Sequence, residues 1–214
     1  LIFANGAAVN LSEDTTLSID EFLMDPFDAK FSVADAKEEP STSVTKLSLA
    51  RGELVGNVKH LHKDNGSSFT VSTPVGAAGI RGTTFRIVFR PDGTGKVFFT
   101  LSTSEGDILY SGTTAQDVPV GAGKEVVVTV EVNVAADGTV TLTSAPVIQN
   151  VQDISAGAQA SIAAAVQEII ANNAAVFDSA SSGNMGGGTD KTGPNEGTQP
   201  ITPVSDTTPG DGKG

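Results

Sequence analysis

The sequence predicts a mainly β protein, and three observations indicate that fold class. Over roughly the first 142 residues, short runs of alternating apolar and polar residues are separated by turn dipeptides such as Asn5-Gly6. Apolar residues recur with a period of two over residues 85–90, as in a strand that buries one face. Helical patterns do not alternate with these runs, so a stacked-sheet or solenoid-like domain is favoured over a parallel α/β sheet.

Four segments are expected along the 214 residues. Residues 1–124 form the β domain, which we expect to be N-terminally incomplete because the chain starts without methionine in strand-like sequence. Residues 125–150 form a long valine-rich hairpin and residues 151–178 an amphipathic, Ala-rich helix. Residues 179–214 are a low-complexity tail of Gly, Pro, Ser and Thr, which cannot order by itself.

The hairpin is the clearest local element. Valines alternate with other residues in its first strand, so five of them share one face: Val126, Val128, Val130, Val132 and Val134. A ten-residue strand is about 33 Å long, which is more than the usual strand. We therefore expect these valines to mark an edge that reaches past the domain and accepts a neighbouring chain.

The predicted helix has a stripe of apolar residues at helical spacing. Either Ser155 or Ser161 could cap its first turn. The stripe consists of Ile162, Val166, Ile169, Ile170 and Ala174.

Composition narrows the classes of function. A formal net charge of −12 argues against binding nucleic acid or anionic lipid, both of which need clustered Lys and Arg. The chain has no cysteine, which excludes disulfides, thiolate metal sites and cysteine nucleophiles. No stretch approaches the roughly 18 apolar residues of a membrane span. We expect a protein that works without a cofactor and without inserting into a membrane.

Two histidines are the first candidates for chemistry. His60 and His62 lie two residues apart, so a strand would put both on one face, as a metal site requires. No third histidine or cysteine exists, and Lys59 and Lys63 add positive charge. An exposed polar face is therefore favoured over a metal site.

Two further patterns also lack the partners that chemistry needs. The stretch Gly121-Ala-Gly-Lys124 has neither the spacing nor the Ser/Thr of a phosphate-binding loop. An acidic cluster lacks a calcium-loop pattern and an aromatic platform for sugar, so solvated surface charge is favoured. We predict no catalytic residue, no metal ligand and no enzymatic activity. The cluster consists of Asp14, Asp20, Glu21, Asp25 and Asp28.

One segment differs in kind: Phe69-Thr-Val-Ser-Thr-Pro-Val-Gly-Ala-Ala-Gly-Ile-Arg-Gly-Thr-Thr-Phe85. Its proline ends strand pairing and holds the preceding threonine extended, and its glycines allow turns or close approach of backbones. Arg81 would need a partner for its charge if it were buried, so we expect a structural keystone more than a ligand-binding group. The residues expected to define this fold motif are Thr73, Pro74, Gly79, Arg81, Gly82 and Thr83.

This segment resembles the central signature of the FecR domain family, and the resemblance extends over about residues 1–124. It implies an all-β extracytoplasmic domain that binds proteins and has no catalytic role. The family includes periplasmic transducers that couple an outer-membrane receptor to a cytoplasmic sigma-factor regulator. In those proteins a small secretin/TonB-type domain follows, which residues 125–214 do not resemble.

Two hypotheses for function remain open. We favour a self-assembling surface or extracellular filament or matrix subunit, which the long hairpin, the acidic composition and the tail suggest. Its partners would be other copies of the chain, as a homo-oligomer or polymer at the cell surface. The alternative is a periplasmic FecR-type signal transducer that binds the plug or signalling domain of a receptor.

Overall fold

Twelve strands and one long helix make up the part of the protein that the computed structural model describes, which is residues 1–27, 36–112, 117–137 and 139–183, with side chains to residue 173. The strands are β1 Ala8–Leu11, β2 Thr16–Met24, β3 Ser43–Asn57, β4 Ser68–Thr73, β5 Gly76–Ile80, β6 Thr84–Pro91, β7 Lys96–Glu105, β8 Ile108–Gly112, β9 Val118–Val120, β10 Lys124–Val134, β11 Val140–Leu142 and β12 Val147–Asp153, and the helix is α1 Ala156–Gly183. This excess of strand over helix confirms the mainly β prediction.

The sheet curls back over itself at strand β3, which is shared by its two halves. The first half of β3 pairs with β2 and runs parallel to β4, whereas its second half pairs with β1 and β6. Gly52 lies where the pairing changes, with φ +106°, and a Cβ atom there would lie 2.5 Å from Thr15 Cα. Only glycine fits this close turn. The resulting strand order is β11-β10-β7-β6-β3-β4-β5-β8-β9.

Apolar side chains from both halves of the sheet fill one core between them. Phe99 of β7 stacks on Tyr110 of β8, with ring centroids 5.2 Å apart. At the other end of the core, Phe3 meets Phe69 of β4 edge to face at 6.4 Å. Because β7 and β8 belong to opposite halves of the sheet, these ring contacts hold the two halves together.

Strand β10 lies inside the sheet. It pairs with β7 along one side, and with β12 and then β11 along the other. Val126, Val128, Val130 and Val132 are buried in the core, and only Val134 is exposed. The predicted valine face exists, but it is covered by the protein's own strands and offers no free edge to another chain.

The return of the hairpin is split into two short strands. Pairing with β11 ends at Leu142, where the amide of Thr143 donates to the Glu131 carbonyl. Pro146 then precedes β12, and a proline has no N–H to donate to a continuous ladder. The sequence predicted one long hairpin, whereas Pro146 separates β11 from β12 and the latter forms the edge.

Helix α1 packs on the outer face of the sheet. Ser155 caps it, since its hydroxyl oxygen accepts a hydrogen bond from the Ala158 amide at 3.2 Å. Ile162 and Ala165 pack against Val55 of β3, whereas Ile170 from the predicted stripe is 56% exposed. Ala158 and Ile169 are buried on the same face as Ile162 and Ala165, so this face packs on the sheet and Ile170 lies outside it.

Most of the predicted tail lies outside the described residues, which end at Gly183 in the helix. Of the part of the chain that is described, no helix is both long and apolar enough to cross a lipid bilayer.

Alkaline pH should destabilise the fold through its one tyrosine. Burial raises the pKa of Tyr110 to about 12, and its hydroxyl donates to the Val75 carbonyl at 2.8 Å. The unfolded tyrosine titrates near pH 10. Between about pH 10 and 12 the unfolded chain loses this proton while the folded chain keeps it, so the free energy of unfolding falls as pH rises. Since the chain has no tryptophan, absorbance at 295 nm reports Tyr110 alone. A midpoint near pH 10 in a still folded protein would contradict this prediction.

Candidate functional site

The signature segment forms a hairpin and the strand that follows it. Strands β4 and β5 pair antiparallel around a turn at Pro74 and Val75. The Thr73 hydroxyl donates to the Gly76 carbonyl at 2.8 Å, which closes this turn. Gly76 has φ +152°, and a Cβ atom there would lie 2.5 Å from the Ser111 carbonyl oxygen. The threonine, proline and glycine therefore act locally, as turn residues.

Residues 81–83 carry the chain from one half of the sheet to the other. β5 belongs to the half that contains β4, whereas the next strand, β6, pairs with the second half of β3. Gly82 turns the chain with φ +73°, and a Cβ atom there would lie 2.9 Å from the Cα of His60. Thr83 is buried after the turn, and its carbonyl accepts the Val58 amide at 2.9 Å. The signature thus connects the two halves of the core.

Two of the predicted fold-motif residues have roles that differ from expectation. A Cβ atom on Gly79 would meet only the Leu109 carbonyl oxygen, at 3.8 Å, so no steric contact demands glycine there. Arg81 is exposed and makes no hydrogen bond or ion pair with any described residue. An exposed guanidinium without a partner is not a structural keystone, and it is free to meet a ligand.

A buried carboxylate, which the sequence did not indicate, supports the segment facing Arg81. Glu39 is 2% exposed and accepts hydrogen bonds from the His62 amide at 2.6 Å and from the Ser43 hydroxyl at 2.5 Å. The sequence places Glu39 in a run of charged residues before a proline, which is typical of an exposed loop. No local pattern separates Glu39 from Glu38, whose side chain is 69% exposed.

The segment at residues 60–65, together with Glu38 and Arg81, lines an open surface pocket of about 490 Å³. Both histidines lie here, and the Nε2 atom of His62 is 3.7 Å from a carboxylate oxygen of Glu38. We call this feature the polar pocket. Its lining residues are Glu38, His60, Leu61, His62, Lys63, Asp64, Asn65 and Arg81.

Electrostatics in the polar pocket act mainly on Lys63. Desolvation by nearby protein atoms is the largest influence and lowers the pKa of its ammonium group, and repulsion by the Arg81 guanidinium lowers it further. Asp64 and Asp107 act in the opposite direction. Two cations therefore share the pocket closely enough to repel each other.

The remaining sequence candidates are dispersed. Within the described ranges, no group of three or more histidine and carboxylate side chains is placed to hold a metal ion. Asp20 accepts a hydrogen bond from Ser48 and Glu21 pairs with Lys46, both on the surface of β2, while Asp28 lies outside the described residues. Lys124, the last residue of the discounted phosphate-loop pattern, pairs with Asp153 at 2.6 Å.

Comparison with known proteins found a matching family model and solved structures with a similar fold. A family model described as FecR protein matches residues 1–98. Two crystal structures of a candidate anti-sigma factor from Parabacteroides distasonis ATCC 8503, at 1.65 and 2.50 Å, align at 13% identity with a TM-score of 0.40. Each alignment covers 68% of this chain and 54% of the other, so the chain spans about half the length of the structures it matches. No curated protein matches the sequence.

The family match overturns the favoured prediction for function. FecR proteins act in signal transduction with receptors and sigma factors, not as homopolymers. The prediction of a self-assembling filament or matrix subunit, with copies of itself as partners, is therefore wrong. One of its three grounds, an open hairpin edge, is also missing, because β10 is paired on both sides over residues 124–129. The match favours the alternative, a signal transducer.

The matched residues 1–98 contain the whole signature, from β4 through the turn at residues 81–83 into β6. Domains of this family are periplasmic or membrane-associated. The residues that resemble the signature are therefore the ones that connect the two halves of this fold. Residues 1–98 of this chain match the FecR family.

Proposed function

We propose that this protein is a periplasmic FecR-type signal transducer, which binds the signalling domain of an outer-membrane receptor and relays its state to a sigma-factor regulator. The observation that carries the proposal is the FecR match over residues 1–98, which contain the complete signature. The proposed role is regulatory and needs no bond-making chemistry. Contact between folded protein surfaces is sufficient for it.

The scaffold supports such a role because its centre is rigid. The signature strands pair on both sides and bury Phe69, Phe85 and Ile80 almost completely. Exposed polar residues, by contrast, line the polar pocket, to which the signature contributes Arg81. Binding residues carried on loops above a rigid core are the common arrangement in recognition domains. The polar pocket is therefore the region where we place recognition of the partner.

Calorimetry tests the proposal directly. The full 214-residue chain is titrated with the purified periplasmic signalling domains of the outer-membrane receptors of its source organism. We expect saturable one-to-one binding by one of these domains with a dissociation constant in the micromolar range, as for transient signalling contacts. The signalling domain of an unrelated receptor is the control. Equal heats from all domains, or none from any, would contradict the proposal.

A further inference from the structure

Two cations of the polar pocket have no counter-ion. Within the described part of the chain, neither Arg81 nor Lys63 has a carboxylate oxygen within 4 Å of its charged group. Three other described cations are paired, Lys46 with Glu21, Lys124 with Asp153, and Arg86 with Glu53, while further cations such as Arg51 have no ion pair with a described residue. Arg81 and Lys63 differ from those unpaired cations because they line one pocket together. A pair of adjacent cations without a counter-ion is the arrangement that an anionic group on a ligand would complete.

The backbone that carries these cations is held in place. Glu39 fixes the His62 amide, and the Gly66 amide donates to the Lys63 carbonyl at 2.8 Å, which closes the turn at residues 63–65. On the facing segment, Gly82 sits against His60 directly after Arg81. Binding here costs little backbone entropy, although the side chains of Arg81 and Lys63 must still lose rotamer freedom.

The shape of the pocket favours a group carried by a macromolecule over a free small molecule. Lys63, Asp64, Asn65 and Arg81 are all exposed at its rim. A small ligand usually needs an enclosed site that buries most of its surface. A side chain presented by a partner protein needs only the local contact, because the rest of the interface supplies the remaining affinity.

The charges in and around the pocket favour a monoanion. Asp64 and Asp107 attract Lys63, and Glu38 lies beside His62, so nearby carboxylates offset part of the positive charge. A doubly charged phosphate would meet more repulsion from these three carboxylates than a single carboxylate does. A guanidinium binds a carboxylate through two parallel hydrogen bonds, and an ammonium adds a third donor.

We propose that Arg81 and Lys63 bind an aspartate or glutamate side chain presented by an acidic segment of the partner protein. This inference rests on the proposed function, because it names the chemistry of the partner for the same pocket. It also gives the exposed arginine of the signature a role in recognition.

The first test uses a peptide probe on the full chain. Blocked hexaglutamate is titrated into ¹⁵N-labelled protein at low salt, with blocked hexaglutamine as the uncharged control. We expect shifts at the amides of residues 63–65 and at the Arg81 Nε–H, and none with hexaglutamine. The net charge of −12 disfavours non-specific binding of the peptide, so shifts confined to the polar pocket indicate a local cationic site. Absence of shifts at the pocket, or equal shifts with hexaglutamine, would overturn the proposal.

Charge reversal supplies the second test. Arg81→Glu and Lys63→Glu should each weaken hexaglutamate binding at least about tenfold, since the attraction between the side chain and the peptide carboxylates becomes a repulsion. Arg51→Glu makes the same change at another exposed site and should leave the affinity within about twofold. Arg81→Lys should recover part of the affinity. Thermal unfolding of each variant checks that it is folded. Equal effects of Arg81→Glu and Arg51→Glu would refute the site.

Repeating the receptor-domain calorimetry with these variants separates the two proposals. Loss of binding with Arg81→Glu but not with Arg51→Glu supports both. If the domain binds wild type and Arg81→Glu equally, the carboxylate site is wrong and the signalling function stands. If the domain binds neither while hexaglutamate still binds at the pocket, the signalling function is wrong and the anion site stands.

Discussion

Replacing Phe85 with alanine is expected to lower the free energy of unfolding by about 3–5 kcal/mol, because it leaves a cavity in a core that cannot collapse around it. Phe85 is completely buried at the start of β6, directly after the turn that connects the two halves of the sheet. Its ring lies beside Gly56 of β3, where a Cβ atom would lie 2.5 Å from Phe85 Cε1. The ring therefore covers the glycine of the neighbouring strand.

Urea denaturation followed by far-UV circular dichroism measures this loss. Phe98→Ala is the matched control, because Phe98 lies on the adjacent strand β7 but is 47% exposed, and it should cost about 1 kcal/mol or less. Similar losses for the two variants would contradict the assignment of Phe85 to the core.

The close contact with Gly56 makes a further prediction for the same pair. Gly56→Ala alone should cost about 1–3 kcal/mol through overpacking against the ring. In the background of Phe85→Leu the same change should cost less, since the ring that it strikes is gone. Additive losses in the double variant would show that the two positions do not touch.

Replacing Glu39 with alanine is expected to lower the free energy of unfolding by about 3 kcal/mol. The carboxylate accepts two hydrogen bonds in a buried site, and bonds to charged groups contribute about 1.5–3 kcal/mol each. Its loss leaves the His62 amide and the Ser43 hydroxyl without their acceptor. The change should also loosen the segment that carries Lys63.

Denaturation together with amide hydrogen exchange checks both consequences. Glu38→Ala alters the neighbouring residue, whose side chain is largely exposed, and should change stability by less than about 0.5 kcal/mol. The His62 amide should exchange much faster in Glu39→Ala than in Glu38→Ala. Unchanged stability and exchange in Glu39→Ala would show that the carboxylate does not support the pocket.

The sequence predicted elements well where the information is local. Turn residues and a period of two mark β4 through β6, and Ser155 caps the helix as one of its two predicted caps. The sequence could not predict which strands pair with each other, because pairing depends on segments far away in the chain. The valine period of β10 therefore predicted a face correctly but could not show that β7 and β12 cover both of its edges.

The candidate site was harder to predict for the same reason. Glu39 lies in a charged run and Arg81 in a glycine-rich one, and neither local sequence shows whether its residue is buried. Glu39 lies in a loop, which its local sequence favours, yet it is buried, whereas Arg81, expected to be a structural keystone, is exposed. Burial is set by how the sheet curls around β3, and no short pattern encodes that curvature.

The central claim, that this FecR-domain protein transmits a signal through protein contact, is tested most directly by transcription in the organism that carries its gene. Transcripts controlled by the sigma factor whose receptor domain binds this protein are measured with and without the ligand of that receptor, in the wild type and in a strain that lacks this protein. We predict that deletion abolishes the response to ligand and that restoring the gene recovers it. An unchanged ligand response in the deletion strain would contradict the account.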